Sequence, residues 1–334
     1  MPLTIPSSPI IDLHCDLLLY LARTPGATIY DTEDIGVTLP YLQAGGVKHQ
    51  VMALFMLTQA GSTYWGEKQL TAYQYLLDFE AFHPVIASED AQHAMQKEGT
   101  GITAAIENAS VFAEEDEPIA TAFARLDRIR EICKRVFYIT ITHHLENRFG
   151  GGNYTNIGLK PDGERLLDYL NDTQIAVDLS HTSDALAEGI LTYIEQQNLN
   201  IPIIASHSNF RSLRDHPRNL TREFVEEIID RKGLIGANFL RLFLDGERPE
   251  SLLEHIEHGL NICPDAMTFG ADFFYRKGIA DPDRQPLFFP EYEDAGQYPK
   301  ILTQLTDRGA TTEQLAKLAY QNTLDFMGRN WKEI

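Results

Sequence analysis

The sequence predicts an α/β protein built as a closed (β/α)8 barrel of the TIM type. Three observations carry that expectation. Short β-rich runs alternate with longer segments of helical periodicity from one end of the chain to the other, there are eight such runs, and most end in a side chain able to bind a metal ion or move a proton. Alternation implies parallel strands with crossover helices, and eight repeats suit a closed barrel better than an open doubly wound sheet, which is the alternative topology. Barrels of this kind carry their chemistry at the C-terminal ends of the strands.

In chain order the runs are Ile10–Leu13, Val47–Leu57, Gly101–Ile106, Val136–Thr142, Ile175–Leu179, Ile201–Ser206, Gly233–Phe239 and Met267–Ala271. Between the fifth and sixth, Leu186, Ala187, Ile190, Leu191 and Ile194 recur at the spacing of one buried helical face. Phe224, Val225, Ile228 and Ile229 repeat that spacing after Thr221, which has the side chain of an N-cap. A last helix is expected over about 311–328, opened by Thr311 with Gln314 three residues on, the pattern of a capping box. The stretch Thr58–Gly99 is long enough for more than one helix, and Asp281–Pro299, with four prolines, reads as an extended surface excursion. No shift of composition marks a boundary, so residues 1–334 read as a single barrel domain.

Composition narrows the partners. The 334 residues are 43% hydrophobic and 23% charged, and 48 acidic against 28 basic side chains leave a net charge of -20. That balance argues against nucleic acid and against an anionic membrane surface, both of which select basic patches. No segment approaches the ~20 apolar residues that span a bilayer, and the start of the chain lacks a basic region followed by a long apolar run, so a soluble protein without a standard export signal is expected. Cys15, Cys133 and Cys263 are widely spaced, in no CxxC pair, as suits a reducing cytoplasm.

The strand ends form a set. The first run leads into His14 and Asp16, the third into Glu107, the fourth into His143 and His144, the fifth into Asp178-Leu-Ser-His181, the sixth into Ser206-His207-Ser208 and the eighth into Gly270-Ala-Asp272. Residues i and i+2 of a strand share a face, so His14 and Asp16 can converge on one ion while Cys15 points away. An isolated His-x-Asp also suits a buried histidine beside a capping aspartate. Here, however, five of the 11 histidines fall at strand ends. Two His, one Asp and one Glu would complete one metal site, and a third His with a shared carboxylate makes a second ion plausible. Two ions ~3.5–4 Å apart activate water while polarising a carbonyl or phosphoryl oxygen.

Taken in order, His14-x-Asp16, Ile106-Glu107, Thr142-His143, Asp178-Leu-Ser-His181, Ser206-His207-Ser208, Arg218-Asn219 and Gly270-x-Asp272-Phe273 resemble the membrane dipeptidase (renal dipeptidase) family of zinc metallopeptidases, including its bacterial members. The resemblance runs from His14 to about Gly328 and implies a barrel of the amidohydrolase superfamily. It further implies two zinc ions bridged by Glu107, the first held by His14, Asp16 and Glu107, the second by Glu107, His181 and His207. By the same resemblance His143 contacts the substrate carbonyl, with His144 as its understudy, Arg218 grips the substrate carboxylate, and Asp272 serves in proton transfer. Asn147 joins the substrate-binding candidates, and Glu107 counts among the catalytic ones. The activity implied is hydrolysis of dipeptides, L-Xaa-L-Xaa or L-Xaa-D-Xaa, by a hydroxide shared between the metals, in a homodimer. Such a hydroxide exists near neutral pH because the cations lower the pKa of water. A well-placed donor such as His143 contributes up to about 3–4 kcal/mol at the oxyanion. Arg218 offers a bidentate fork for the C-terminal carboxylate, which favours a dipeptidase over an endopeptidase.

Glu107 is followed by Asn108-Ala109 where the family usually has small glycine-rich residues, and Asp272-Phe273 by Phe274 where a second Asp is common; both bear on substrate preference. Arg211 and Arg214 follow His207 in the same loop and rival Arg218. Arg148-Phe-Gly-Gly-Gly-Asn153 lacks phosphate-loop spacing and reads as a flexible substrate-facing loop. His255 and His258, without HExxH order, read as a solvated helix face. Two other readings compete. A lactonase or deaminase of the same superfamily usually opens with His-x-His and often bridges its metals with a lysine at the fourth strand, where this chain has Thr-His-His and only the earlier Lys134. The other competitor is a catalytically silent barrel that holds peptide or metal.

Overall fold

The computed structural model describes residues 8–278 and 285–331. Among these residues are nine parallel strands: β1 (Ile10–Cys15), β2 (Val47–Phe55), β3 (Phe82–Pro84), β4 (Thr100–Glu107), β5 (Val136–Thr140), β6 (Ala176–Asp178), β7 (Ile203–Ile204), β8 (Ile235–Ala237) and β9 (Met267–Phe269). Eight of them form a nearly closed barrel in the order β1-β2-β4-β5-β6-β7-β8-β9, with β9 returning to β1 through Asp12 and Phe269. The seam between β7 and β8 is a single bridge from Ala205 to Ile235, flanked by hydrogen bonds of 2.8 Å from Ala205 N to Leu234 O and from Gly236 N to Ala205 O.

All eight predicted runs are barrel strands. The ninth, β3, was not expected. It pairs with the first residues of β4, Thr100–Ile102, and β5 takes over from Ala104. The predicted caps are present: Thr221 accepts from Phe224 N, and Thr311 with Gln314 completes a capping box. The final helical stretch runs from Thr312 to Asn330 through one π-helical turn at Lys317–Gln321. Its Phe326, Met327 and Trp331 side pack with Phe137 in a second, smaller core cluster; Phe326 stacks on Phe137 at 5.8 Å.

Two loop expectations are corrected. Residues 285–299 are not a surface excursion: Leu287, Phe288, Phe289 and Tyr292 are buried, and Phe288 lies 5.3 Å from Phe273. Aromatic burial outweighs the breaking effect of the prolines there. Residues 281–284 lie outside the described residues. The glycine loop after β5 is likewise packed rather than flexible. A Cβ on Gly152 would sit 1.8 Å from His143 O, and Arg148 ties the loop to Asp162 at 2.7 Å and to the carbonyls of Glu114 and Glu117. No helix among the described residues is long and apolar enough to cross a membrane.

Candidate metal centre

The C-terminal strand ends converge on Glu107, the last residue of β4. Its Oε2 lies 3.2 Å from His14 Nε2 and its Oε1 lies 3.0 Å from His181 Nε2, 3.7 Å from His143 Nε2 and 3.8 Å from His207 Nε2. Ligand atoms of His14, Asp16 and Glu107 all lie within 4.8 Å of one another, and those of Glu107, His181 and His207 do the same. All five residues are buried. Asp16 is not in the strand but opens the helix Leu17–Arg23, which turns its carboxylate to the side of His14. Cys15 faces away and packs with its sulfur 3.5 Å from that of Met52.

Neighbouring hydrogen bonds determine which histidine nitrogen faces inward. Tyr138 of β5 donates its hydroxyl proton to Leu13 O at 2.9 Å and lies 2.6 Å from His14 Nδ1, so His14 Nδ1–H donates to Tyr138 and Nε2 keeps its lone pair. Ser206 Oγ is 2.6 Å from both Asp178 Oδ2 and His207 Nδ1. A carboxylate only accepts, so Ser206 donates to Asp178, His207 Nδ1–H donates to Ser206, and His207 Nε2 is a lone pair as well. Asp178 is held by Thr140 Oγ1 at 2.5 Å and by the amides of Ser180 and Ser206.

These groups fit divalent cations. His207 Nε2 and His181 Nε2 stand 3.0 Å apart beside a carboxylate oxygen, and His14 Nε2, Asp16 Oδ1 and His181 Nδ1 are buried without a hydrogen-bond partner. Burial, and next the charge of Arg218, pushes His181 well below the ordinary imidazole value; burial, and next His14, does so for His207, which favours the neutral ring that binds metal. Burial raises the carboxyls of Asp16 and Glu107, Asp16 further through its nearness to Glu107. Bound cations would offset that cost. An all-imidazole and carboxylate donor set suits zinc.

The centre opens into a cavity of about 570 Å3 whose lining includes Asp16, Glu107, His143, His144, His181 and Asp272. His143 stacks on His181 at 4.3 Å. Asp272 stands 3.7 Å from His14 Nε2, and burial pushes its carboxyl up to about 7. His181 and Asp272 hold positive φ of 63° and 65°, a left-handed backbone costly for non-glycine residues. Arg218 is buried and is not part of the lining; it donates to Ser208 Oγ at 2.7 Å and His207 O at 2.8 Å, and its guanidinium lies 5.4 Å from the ring centre of Phe243, which does line the cavity. Its Nε has no partner. Arg211 is committed to Asp184 at 2.6 and 2.8 Å.

Asn147, like Arg218, is a predicted substrate-binding residue that does not line the cavity. Its amide donates to Asn108 Oδ1 and Ile141 O and accepts from Phe149 N and Gly150 N, so it braces the glycine loop. His255 is buried rather than solvated and accepts from Phe210 N at 3.3 Å. Three residues went unassigned in sequence. Asn238, donating to Asp272 Oδ2 at 2.9 Å, lies near the end of the seventh run, where the strand-end rule would have found it. Tyr138 carries no signal, being an aromatic residue inside an apolar strand. Asp12, which accepts from His14 N and Ala271 N at 2.9 Å and from Tyr298 OH, resembles any residue of a polar-capped strand.

The sequence model of the membrane dipeptidase family, peptidase family M19, matches residues 4–332. An uncharacterized dipeptidase of Schizosaccharomyces pombe is 28% identical over 206 residues, 59% of this chain and 46% of that protein. The dipeptidase verJ of Clonostachys rogersoniana is 28% identical over 199 residues, 58% and 48% of the two chains. The match thus spans about half the length of these curated relatives. Among solved structures, a dipeptidase AC metallopeptidase superposes with a TM-score of 0.82 at 21% identity, covering 97% of this chain and 99% of its own. A metallopeptidase from Rhodobacter sphaeroides, solved with a phosphinate mimic of the dipeptide L-Ala-D-Ala, does so at 0.80 and 20%, covering 97% and 100%. The structural likeness is one of fold, while the family match extends over almost every residue: this chain belongs to the membrane dipeptidase family.

Proposed function

We propose that the chain is a zinc-dependent dipeptidase that hydrolyses L-Xaa-L-Xaa and L-Xaa-D-Xaa dipeptides at a pair of zinc ions sharing Glu107. The observation that carries this reading is the position of Glu107, one oxygen beside His14 and the other beside His181 and His207. His14, Asp16 and Glu107 would hold one ion and Glu107, His181 and His207 the other. When bound, the pair lowers the pKa of water and polarises the scissile carbonyl. His143, on the cavity wall 3.7 Å from Glu107, donates to the carbonyl oxygen as negative charge grows there. Asp272, oriented by Asn238, takes the proton of the attacking water and delivers it to the departing amine. Arg218, with its Nε unpaired, pairs with the substrate's C-terminal carboxylate. A relative's fold is solved with a mimic of L-Ala-D-Ala, which supports tolerance of a D-residue at the second position. Cys15, Cys133 and Cys263 are buried and unpaired, the state that a reducing cytoplasm maintains, and we take that compartment as the protein's own.

The test combines metal analysis of gently purified protein with turnover of a panel of L,L- and L,D-dipeptides, using Glu107→Gln as control. About two zinc equivalents per chain, cleavage abolished by chelator and restored by zinc, and loss of roughly a thousandfold or more in kcat for the variant are expected. Absence of metal-dependent cleavage of every dipeptide would overturn the reading.

A further inference from the structure

Among the described residues, Arg23 is the sole lysine or arginine lining the cavity. It closes the short helix that Asp16 opens, and it is exposed. Its guanidinium lies over the ring of Trp65, 4.9 Å from the centre. Stacking occupies the flat face of a guanidinium and leaves its in-plane N–H fork, the edge that pairs with a carboxylate through two hydrogen bonds. No carboxylate among the described residues takes up that fork. Three acids of the flanking segments have other partners: Asp31 accepts from Tyr20 at 2.6 Å and from Thr28, Asp34 pairs with Lys277 at 2.5 Å, and Glu67, on the helix of Trp65, pairs with Arg128 at 3.2 Å. In a chain of net charge -20, an arginine held in place by an aromatic ring at a cavity wall, with no acid among the described residues on it, is available to a ligand.

We propose that Arg23 binds an acidic side chain on the N-terminal residue of the dipeptide, so that L-Glu-Xaa substrates are preferred. The inference rests on the dipeptidase reading. With the C-terminal carboxylate drawn to Arg218 below His207, the C-terminal residue lies toward β6 and β7. The N-terminal residue then extends across Glu107 toward β1 and β2, the side of Asp16, Phe55 and Arg23. Seven residues of helix separate Asp16 from Arg23, about 10 Å at ~1.5 Å per residue. The α-carboxylate of a dipeptide stays within about 4 Å of the scissile carbon and cannot cover that distance, whereas a glutamate side chain meeting the arginine stem can. Leu19, Phe55 and Leu57 line the cavity with Arg23 and would cover the methylenes of such a side chain.

The experiment measures kcat/KM of the zinc-loaded protein for L-Glu-L-Ala against its neutral isostere L-Gln-L-Ala, with L-Lys-L-Ala and the D-Ala series alongside. The ratio of Glu to Gln substrates is expected to be about tenfold or more in the natural protein. It should fall to near one in Arg23→Gln, and Arg23→Glu should favour the lysine substrate instead. A ratio within one variant normalises for any loss of folded protein. Calorimetric binding of L-Glu-L-Ala and L-Gln-L-Ala to the Asp272→Asn variant, which lacks the group that moves the proton, reads the same ratio without turnover. Equal Glu and Gln values in the natural protein, or a ratio unchanged by Arg23→Gln, would overturn the proposal. So would an Arg23-dependent preference confined to L-Ala-L-Glu and L-Ala-D-Glu, which places the acid on the wrong residue. If no dipeptide is cleaved, the dipeptidase reading fails by itself, and equal affinities in the calorimeter are then what overturn the role of Arg23.

Discussion

Ser206 does not touch the cavity, yet its hydroxyl decides how His207 presents itself. It donates to Asp178 at 2.6 Å and accepts from His207 Nδ1–H at 2.6 Å, which leaves the other ring nitrogen unprotonated and aimed at Glu107 and His181. Partners of this kind typically account for 10–100-fold in metal affinity. Ser206→Ala is therefore expected to weaken one of the two proposed zinc sites, the one with His207, by about that factor while the other keeps its affinity. A competition titration with a chromophoric chelator reads the two sites separately, and two unchanged affinities would refute the role. Tyr138 performs the same task for His14 by a different route, since its own proton is committed to Leu13 O.

Glycines control how closely the elements of the site approach. The carbonyl of Ser206 sits between Gly236 and Gly270, and a Cβ at either glycine would come within 1.9 Å of it. The Gly270-x-Asp272 step thus lets β9 lie against the residue that precedes His207. Gly270→Ala must push β7 and β9 apart, an overpacking cost of about 1–3 kcal/mol, and it should shift His207 relative to Glu107. Urea denaturation would show the lower midpoint, and zinc analysis a deficit at the proposed site of His181 and His207. A midpoint and zinc content equal to those of the natural protein would contradict this account of the seam. In sequence the glycine was visible but the carbonyl it accommodates was not, because Ser206 is more than sixty residues away.

Across the whole molecule, two buried histidines away from the metal centre link stability to pH. Burial, with a smaller contribution from His83, lowers His49 to about 3, and burial with His258 lowers His255 to about 4. Both stay neutral in the fold while the unfolded chain takes up protons below about pH 6.5. Their contribution is therefore complete above pH 6.5 and is lost as pH falls toward the folded values. Between pH 7.5 and 5.5 each histidine should cost about 1.4 kcal/mol. Chemical denaturation of His49→Gln beside the natural protein, both in the same metal state, should show the difference between them change by that amount. A constant difference across that pH range would contradict the buried neutral assignment.

The eight barrel strands, their parallel order and the polar residues that close them were legible in the sequence, because strand periodicity and the residue type at a strand end are local properties of the chain. Cys15 could be turned away from the centre for the same reason. Only the tertiary structure decided how those ends are used. It selected the free nitrogen of His14 and His207 through Tyr138 and Ser206, and it separated buried Arg218 from Arg211 with its own acid. It also withdrew Asn147 into a loop brace, buried His255, added β3 and set Arg23 on the cavity wall. Each of these depends on a partner far away in the chain, and such partners meet only when the sheet closes. The sequence by itself determined which side chains stand at the mouth of the barrel; closure determined which of their atoms face one another.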